Sequence, residues 1–209
     1  MKKGFLITLE GNEGCGKTTQ TKFLASYLKH KGRKVYVTRE PGGTRIGQAV
    51  RRVLLDNKNE KMTPVCETFL YMAARTQLVS EVILEKLNSG HIVLSDRWID
   101  STIAYQGYGA GVDVRWIREL ARKAVHGVEP RLTIFLELPL LVGLRRAKSF
   151  KKADRMERKA VLFHQKVRKG YLAIAKAEPR RFRKLPIRET DTIWEVSEKI
   201  RNIVDGVVR

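Results

Sequence analysis

The sequence predicts an α/β protein in which a five-stranded parallel sheet is flanked by helices on both faces. A glycine-rich stretch, 10–19, stands between a short apolar run and a helical pattern. Further apolar runs of strand length then alternate with long helical patterns along the chain. No internal repeat or linker interrupts the 209 residues, so we expect one domain over 1–209.

The glycine-rich stretch has the spacing G-x-x-x-x-G-K-[ST], with its fixed letters at Gly11, Gly16, Lys17 and Thr18. Glycines let the backbone curl so that successive N–H groups point into one concavity at a helix N-terminus, where anions are favoured. A lysine there can reach nucleotide phosphates, and a threonine hydroxyl can ligate Mg²⁺. The letters also fit a glycine-rich turn with a chance lysine, but the strand-before, helix-after context favours a P-loop NTPase fold that binds a nucleoside triphosphate.

In the first half of the chain, the elements are delimited by proline and glycine. Pro-Gly-Gly at 41–43 continues neither a strand nor a helix, and Pro64 is well tolerated at a helix start. Ile46, Val50 and Val53 recur at one-face helical spacing. The predicted elements are strand 4–9, helix 22–28, strand 35–38, helix 46–55, helix 64–87 and strand 92–95.

The second half continues the alternation and fixes where a ligand should bind. Its predicted elements are strand 132–136, helix 140–147, helix 158–177, edge strand 182–187 and helix 193–204. Ligands on a parallel sheet bind beyond the carboxyl ends of the strands. The glycine loop, the turn at 39–44 and Asp96-Arg97 all follow strands, so we expect them to converge on one edge.

Charge and cysteine content bound the function. The chain carries 42 basic and 22 acidic residues, a net charge of +20. Such a surplus commonly indicates a polyanionic partner, but a phosphate-transfer enzyme also needs basic side chains and the rest can be solvated surface. We therefore expect no dedicated nucleic-acid function.

No apolar run reaches the ~18 residues of a membrane span, and we expect neither a membrane anchor nor a signal peptide. Two cysteines, Cys15 and Cys66, make no disulfide framework, which favours the cytoplasm.

Two polar groups follow strands near the glycine loop. Asp96 ends a strand where P-loop enzymes carry the second acidic group that holds Mg²⁺, and Arg97 beside it can bridge phosphates. The alternative is a simple ion pair at the strand end. Arg39 ends the neighbouring strand, and its guanidinium fork suits phosphate recognition.

Taken together, the motifs resemble the thymidylate kinases (dTMP kinases) of bacterial type, in the nucleoside monophosphate kinase group. The resemblance runs through the chain in order: the P-loop at 10–19, Arg-Glu-Pro-Gly-Gly-Thr at 39–44, Ala-Ala-Arg at 73–75, Asp-Arg-Trp at 96–98, Ser-Thr at 101–102, Tyr-Gln-Gly at 105–107 and Asp-Arg-Met-Glu at 154–157. It implies transfer of the γ-phosphoryl group of ATP to dTMP with Mg²⁺, and a homodimer.

The resemblance also implies roles on the donor side. Arg145 and the loop would hold ATP, Thr18 and Asp96 would hold Mg²⁺, and the catalytic set would include a lid arginine. The ATP-binding residues are Gly11, Asn12, Glu13, Gly14, Cys15, Gly16, Lys17, Thr18, Thr19 and Arg145. The catalytic residues are Lys17, Arg97, Arg155, Asp96 and Glu13.

On the acceptor side the resemblance implies a phosphate clamp, a base site and a sugar wall. Arg39 and Arg97 would grip the dTMP phosphate, Tyr71 would stack on thymine, and Tyr105 would disfavour a 2′-hydroxyl. The dTMP-binding residues are Arg39, Tyr71, Arg75, Arg97, Ser101, Thr102, Tyr105 and Gln106. Taken without the resemblance, Tyr71 and Tyr105 also fit ordinary packed aromatics, and Ser101 and Thr102 also fit the N-cap of a following helix.

A basic segment at about 146–157 lies where the family has its lid. The P-loop has no arginine at 12–15, so the resemblance implies that the lid supplies the arginine that stabilises the transferred charge. Arg155 is the first candidate, and Arg145 or Arg146 the second. Two departures stand out: Glu137 replaces the usual Asp, and Ile187-Arg188-Glu189 replaces the usual Ile-Asp-Ala near the adenine. Rival functions are a kinase for another pyrimidine monophosphate or a deoxynucleoside, and a P-loop protein that binds nucleic acid.

Overall fold

A computed structural model describes residues 3–150 and 154–208, with the side chains of 148–150 outside that description. Within these residues five strands form one sheet in the order β2-β3-β1-β4-β5, and every neighbouring pair is parallel. The predicted five-stranded parallel sheet is confirmed. The strands are β1 (Phe5–Glu10), β2 (Val35–Arg39), β3 (Ile92–Asp96), β4 (Pro130–Glu137) and β5 (Phe182–Pro186).

Helices connect the strands and cover both faces of the sheet. Pro64 stands in the first turn of its helix, as predicted, where the missing N–H of proline has no partner to lose. The helices are α1 (Lys17–His30), α2 (Arg45–Leu55), α3 (Pro64–Leu78), α4 (Leu84–Asn88), α5 (Ile99–Thr102), α6 (Val114–Ala124), α7 (Leu140–Phe150), α8 (Val161–Ala177) and α9 (Ile193–Asp205).

The helical segments differ from the prediction at three places. The predicted helix 64–87 contains a π-helical turn, Val79–Ile83, between α3 and α4. A second π-helical turn, Ile103–Gly109, extends α5, and α6 falls between predicted elements. Such wide turns insert a residue into the helical ladder and turn the side chains that follow, often at functional sites.

The core lies in layers above and below the sheet. Ile7 and Leu9 of β1 pack with α1 and α9, whereas Leu6, the residue before Ile7 and therefore on the opposite face of the strand, packs with α3 and α4. This alternation buries both faces of the strand, as expected for a parallel sheet between helices. None of the helices in the described part of the chain has the length and apolar character that crossing a bilayer needs.

Candidate active site

The glycine loop curls as the spacing predicts. Gly16 has a φ of 90° immediately before α1, a left-handed conformation that side chains other than glycine's rarely adopt. Gly14 packs so closely on α7 that an added Cβ would lie 2.0 Å from the carbonyl oxygen of Gly143. The backbone of the loop therefore packs directly on the backbone of α7, and the loop ends at the start of α1.

Lys17 lies across this loop. Its ammonium donates to the carbonyl oxygens of Gly11 at 2.9 Å and Asn12 at 2.8 Å, and it approaches the thiol of the buried Cys15 at 3.5 Å. The side chain is buried, yet it lines a cleft of about 540 Å³. A positive charge is thus held in the cleft at the N-terminus of α1, a position that suits a polyphosphate.

Thr18 and Asp96 form the candidate metal site. The Thr18 hydroxyl donates to Asp96 Oδ2 at 2.5 Å, so β3 brings its terminal carboxylate to the first turn of α1. Two oxygen donors fit Mg²⁺, which takes one or two protein ligands together with phosphates and water. Within the described residues no group of three or more His, Cys, Asp or Glu side chains could hold a metal. Two protein oxygens leave most of the coordination of Mg²⁺ to phosphates and water.

Arg97 is held in place by its backbone and by its neighbours. Its φ is 76°, uncommon for a residue with a side chain, and Ser95 Oγ donates to its carbonyl oxygen at 2.7 Å. The guanidinium donates to the hydroxyls of Ser101 and Tyr105 at 3.0 and 3.2 Å and to Tyr171 at 3.3 Å. Since it keeps 20% side-chain exposure, it faces the cleft from a fixed position.

Glu13 completes that arrangement from the glycine loop. Its Oε1 accepts from Tyr105 at 2.6 Å and from Arg97 at 3.1 Å, and Oε2 lies 3.4 Å from Nδ1 of the buried His164. Burial opposes ionisation of this carboxyl. The contact with His164 and the charges of Arg97 and Lys17 outweigh burial and hold its pKa below the usual range. Glu13 is therefore an anion that fixes an arginine and a tyrosine.

Glu10 lies underneath, at the end of β1. The Trp98 amide donates to its Oε1 at 2.7 Å, and the hydroxyls of Ser101 and Tyr171 donate to Oε2 at 2.6 and 2.9 Å. Burial, with the nearby charge of Asp100, raises the pKa of Glu10 to about 7. We call the set formed by Glu10, Glu13, Arg97, Ser101, Tyr105 and Tyr171 the acceptor floor.

The base side of the cleft is held by a second buried arginine. Arg75 is 2% exposed, and it donates through Nε to Glu40 at 2.7 Å and through Nη2 to the Thr102 hydroxyl at 3.0 Å. Ser101 and Thr102 are not N-cap residues. The helix begins at Ile99 without a side-chain cap, and the hydroxyls accept from arginines instead, Ser101 from the partly exposed Arg97 and Thr102 from the buried Arg75.

The remaining predicted acceptor residues also line the cleft. Tyr71 is half-buried, and burial raises the pKa of its hydroxyl. Arg39 is exposed at the end of β2, opposite Asp96 in the strand register. The predicted residues that the cleft brings together are Glu13, Gly14, Gly16, Lys17, Thr18, Thr19, Arg39, Tyr71, Arg75, Asp96, Arg97, Ser101, Thr102, Tyr105 and Gln106.

Ala147, Asp154, Met156 and Glu157 of the predicted lid line the cleft, whereas the candidate arginines Arg145, Arg146 and Arg155 are not among its lining residues. Arg155 is buried, donating through Nε to the Leu54 carbonyl oxygen at 2.8 Å and through Nη2 to Glu67. This position differs from the one expected for an arginine that reaches a transferred phosphoryl group. Arg145 pairs with Glu189, and Arg146 donates to the Glu189 carbonyl oxygen at 2.9 Å. Within the predicted lid 146–157, residues 151–153 are not described.

The two departures from the family pattern take part in ion pairs. Glu137 binds Arg168 at 2.5 Å and Lys184 at 3.3 Å, which uses its longer side chain away from the cleft. Glu189 forms an exposed ion pair with Arg145. The substitution at 189 therefore adds an anion beside a predicted ATP-binding arginine.

Sequence reasoning missed several residues of the site. Arg51 lines the cleft and donates to the Pro41 carbonyl oxygen at 2.9 Å, and burial, with the charge of Arg39, lowers its pKa. A signal existed, because Arg51 follows the buried Gly47 by one helical turn, on the inner face of α2. No local signal marks Tyr171 or His164, which α8 carries to the floor from far along the chain.

Comparison with known proteins agrees with this geometry. A sequence model of thymidylate kinases matches residues 9–200. The chain is 51% identical to a thymidylate kinase of Citrifermentans bemidjiense over 185 residues, covering 86% of this chain and 82% of that protein. It is 42% identical to a thymidylate kinase of Thermoanaerobacter sp. (strain X514) over 205 residues, or 98% of each chain. A crystal structure of thymidylate kinase from Ehrlichia chaffeensis superposes with a TM-score of 0.78 at 32% identity, covering 97% of this chain and 99% of that one. The chain belongs to the thymidylate kinase family.

Proposed function

We propose how the residues of the cleft carry out the reaction of this family, in which the γ-phosphoryl group of ATP is transferred to dTMP to give dTDP. The observation that carries the assignment is the Glu13–Arg97 pair at 3.1 Å, which joins the glycine loop to the end of β3 in one cleft. The donor and acceptor sites are thereby adjacent. Positioning two nucleotides end to end is the main task of a phosphoryl-transfer enzyme.

On the donor side, we propose that the loop amides and Lys17 bind the ATP phosphates. Thr18 and Asp96 would hold Mg²⁺ through their oxygens, which lie 2.5 Å apart. Bound Mg²⁺ neutralises charge on the β- and γ-phosphates during transfer. Lys17 can exchange its two carbonyl partners for phosphate oxygens, because it makes these contacts at the cleft surface.

On the acceptor side, we propose that Arg97 and Arg39 bind the dTMP phosphate, and that Tyr71, Arg75 and Gln106 surround thymine. Tyr105 supports the sugar side through its bond to Glu13. The acceptor oxygen needs no general base, since the second pKa of a phosphate monoester is about 6 and the oxygen is already anionic at pH 7. The chain's contribution is then orientation and charge, supplied by preorganised donors.

A lid arginine remains part of the proposal. The P-loop has no arginine at 12–15, so we propose that the lid supplies an arginine that acts on the transferred phosphoryl group together with Lys17 and Arg97. Arg155 stays a prediction for this role beside Arg145 and Arg146. Substituting each in turn and measuring kcat at saturating ATP and dTMP would identify the residue.

The direct test of the proposed function is ADP formation from Mg-ATP with a panel of acceptors. We expect activity with dTMP, less with dUMP, and none with UMP, thymidine or single-stranded DNA, and loss of activity for Lys17→Ala. Omitting Mg²⁺ or adding a chelator should abolish turnover. Turnover that depends on DNA and on no monophosphate would overturn the proposal.

We also propose a homodimer that uses α3 and α6. Val65 and Phe69 of α3 are about half exposed, and Phe69 packs edge-to-face on Trp116 of α6 at 5.3 Å. Sedimentation velocity should give a dimer for the wild type and a shift toward monomer for Phe69→Glu. An unchanged dimer in that variant would exclude this face.

We propose a cytoplasmic location on chemical grounds. Cys15 is a free thiol inside the phosphate loop, and Cys66 is free and exposed. A reducing compartment keeps both as thiols. Fractionation followed by detection of the chain would check the location.

A further inference from the structure

Glu67 is a buried carboxylate that the proposed reaction leaves without a role. It lies in the first turn of α3 and is 4% exposed. Burying a carboxylate is costly unless charged or hydrogen-bonding partners replace the lost water. Its partners therefore indicate why the fold carries it there.

The two oxygens of Glu67 bind groups from two different parts of the site. Gln106 Nε2 donates to Oε1 at 2.6 Å, and Gln106 belongs to the cleft wall. Arg155 Nη2 donates to Oε2, and Arg155 lies near the C-terminal end of the predicted lid. One carboxylate thus joins the wall to the return segment, which we define as residues 154–157.

Arg155 anchors the return segment at three points. Besides Glu67, its side chain bonds the carbonyl oxygen of Leu54 at 2.8 Å, and its amide bonds that of Leu55 at 3.3 Å. The other three residues of the segment, Asp154, Met156 and Glu157, line the cleft. Moving Arg155 would therefore move side chains that face the acceptor.

We propose that Glu67 is a positioning residue for the acceptor nucleotide, acting through Gln106 and Arg155. The proposal rests on the proposed function, because it takes dTMP as the acceptor in this cleft. The carboxylate makes the wall and the return segment one rigid unit, so that the acceptor meets a preformed surface. The hydrogen bonds described for the side chains of Gln106 and Arg155 go to Glu67 and Leu54, and the Arg155 amide bonds Leu55. None of these bonds goes to the glycine loop, so we expect ATP binding to be independent of Glu67.

The alternative role for Glu67 is to neutralise Arg155 and to hold it away from the phosphates. The two roles predict opposite effects. If Glu67 positions the acceptor, its loss weakens dTMP binding. If it only restrains a catalytic arginine, its loss frees that arginine and raises kcat.

The experiment compares Glu67→Gln with Glu60→Gln in the full chain. Glu60 is the matched control because its side chain is 68% exposed and pairs with Arg158 on the surface nearby. We expect Glu67→Gln to raise the KM for dTMP about tenfold, with the KM for ATP and both values in Glu60→Gln within about twofold of wild type. An unchanged KM for dTMP, or a raised kcat, would overturn the proposal.

Arg155→Lys tests the contact from its other side and decides the matter if Glu67→Gln does not fold. Lysine keeps the charge but lacks the planar fork through which Arg155 reaches the Leu54 carbonyl oxygen from Nε and Glu67 from Nη2. We expect the same rise in KM for dTMP. A fall in kcat with KM for dTMP unchanged would overturn the proposal and make Arg155 a catalytic residue. A wild type without dTMP-dependent ADP formation would instead mean that the proposed function had failed.

Discussion

The acceptor floor differs in construction from the ion pair between Arg145 and Glu189, which we call the donor rim because Arg145 is a predicted ATP-binding residue. In the floor, Arg97 and Glu13 keep 20% and 7% side-chain exposure, both bond the Tyr105 hydroxyl, and Glu13 also lies beside the buried His164. On the rim, Arg145 and Glu189 keep 65% and 55% and pair on the surface. Each region contains an arginine–glutamate pair. Only the pair in the acceptor floor belongs to a buried hydrogen-bond network.

This difference indicates how the two nucleotides are recognised. Buried hydrogen bonds are stronger and costlier to break than exposed ones, so the floor presents fixed donors before the acceptor arrives. An exposed pair in water contributes little and can exchange partners readily. In the proposed function, the exposed Arg145 can therefore change partners to bind ATP, whereas the buried network of the acceptor floor would discriminate between acceptors.

The glycine loop lies between the two regions and should give the largest effect. We expect Lys17→Met to lower kcat by about 10³-fold, because it removes a cation from the developing phosphate charge. Lys22→Met, an exposed change on the same helix, is the control. A loss of less than tenfold in a coupled ADP assay would contradict the role of Lys17.

The substitution Arg97→Lys disrupts hydrogen bonds of the acceptor floor but keeps the positive charge at position 97. We expect kcat/KM for dTMP to fall about 10²-fold, since lysine cannot bond Glu13, Ser101 and Tyr105 at once. The KM for ATP should stay near the wild-type value. Arg115→Lys, at an exposed position, is the control, and equal kinetics in the two variants would contradict the prediction.

The substitution Glu10→Gln tests the acceptor floor through the pH dependence of the free energy of unfolding. The pKa of Glu10 is raised from 4.5 to about 7, so between these values the folded chain holds a proton that the unfolded chain has lost. Stability of the wild type therefore falls as pH rises through this window. Relative to wild type, Glu10→Gln should gain up to about 3 kcal/mol between pH 4.5 and 8.

Urea unfolding of both chains at several pH values measures that difference. Glu119→Gln, an exposed substitution, should show no such trend. A difference between Glu10→Gln and wild type that does not change across the window would show that Glu10 titrates normally.

Arg145→Ala tests the donor rim and should have the smallest effect. We expect the free energy of unfolding to change by less than about 0.5 kcal/mol, because the pair with Glu189 is exposed. The KM for ATP should rise at most about fivefold, with that for dTMP unchanged. A larger change for dTMP than for ATP would reverse the assignment of the two regions.

The sequence predicted the sheet and most of the cleft for a local reason. The glycine loop, the turn at 39–44 and Asp96-Arg97 each follow an apolar strand, and parallel strands end at one edge. The resemblance added Tyr71, Arg75 and Tyr105, which line the cleft together. Sequence reasoning found the position of Arg155 in the chain but not its burial against Glu67, because no local pattern pairs those residues.

Sequence alone determined what depends on neighbouring residues: the curled glycine loop, the apolar runs that form the strands, and the proline that opens α3. Tertiary structure alone decided the partners of the buried charges. Arg155 meets Glu67 across 88 residues, and Tyr171 meets Glu10 across 161. Periodicity reports which face of an element is buried, but which groups meet there depends on how distant elements pack.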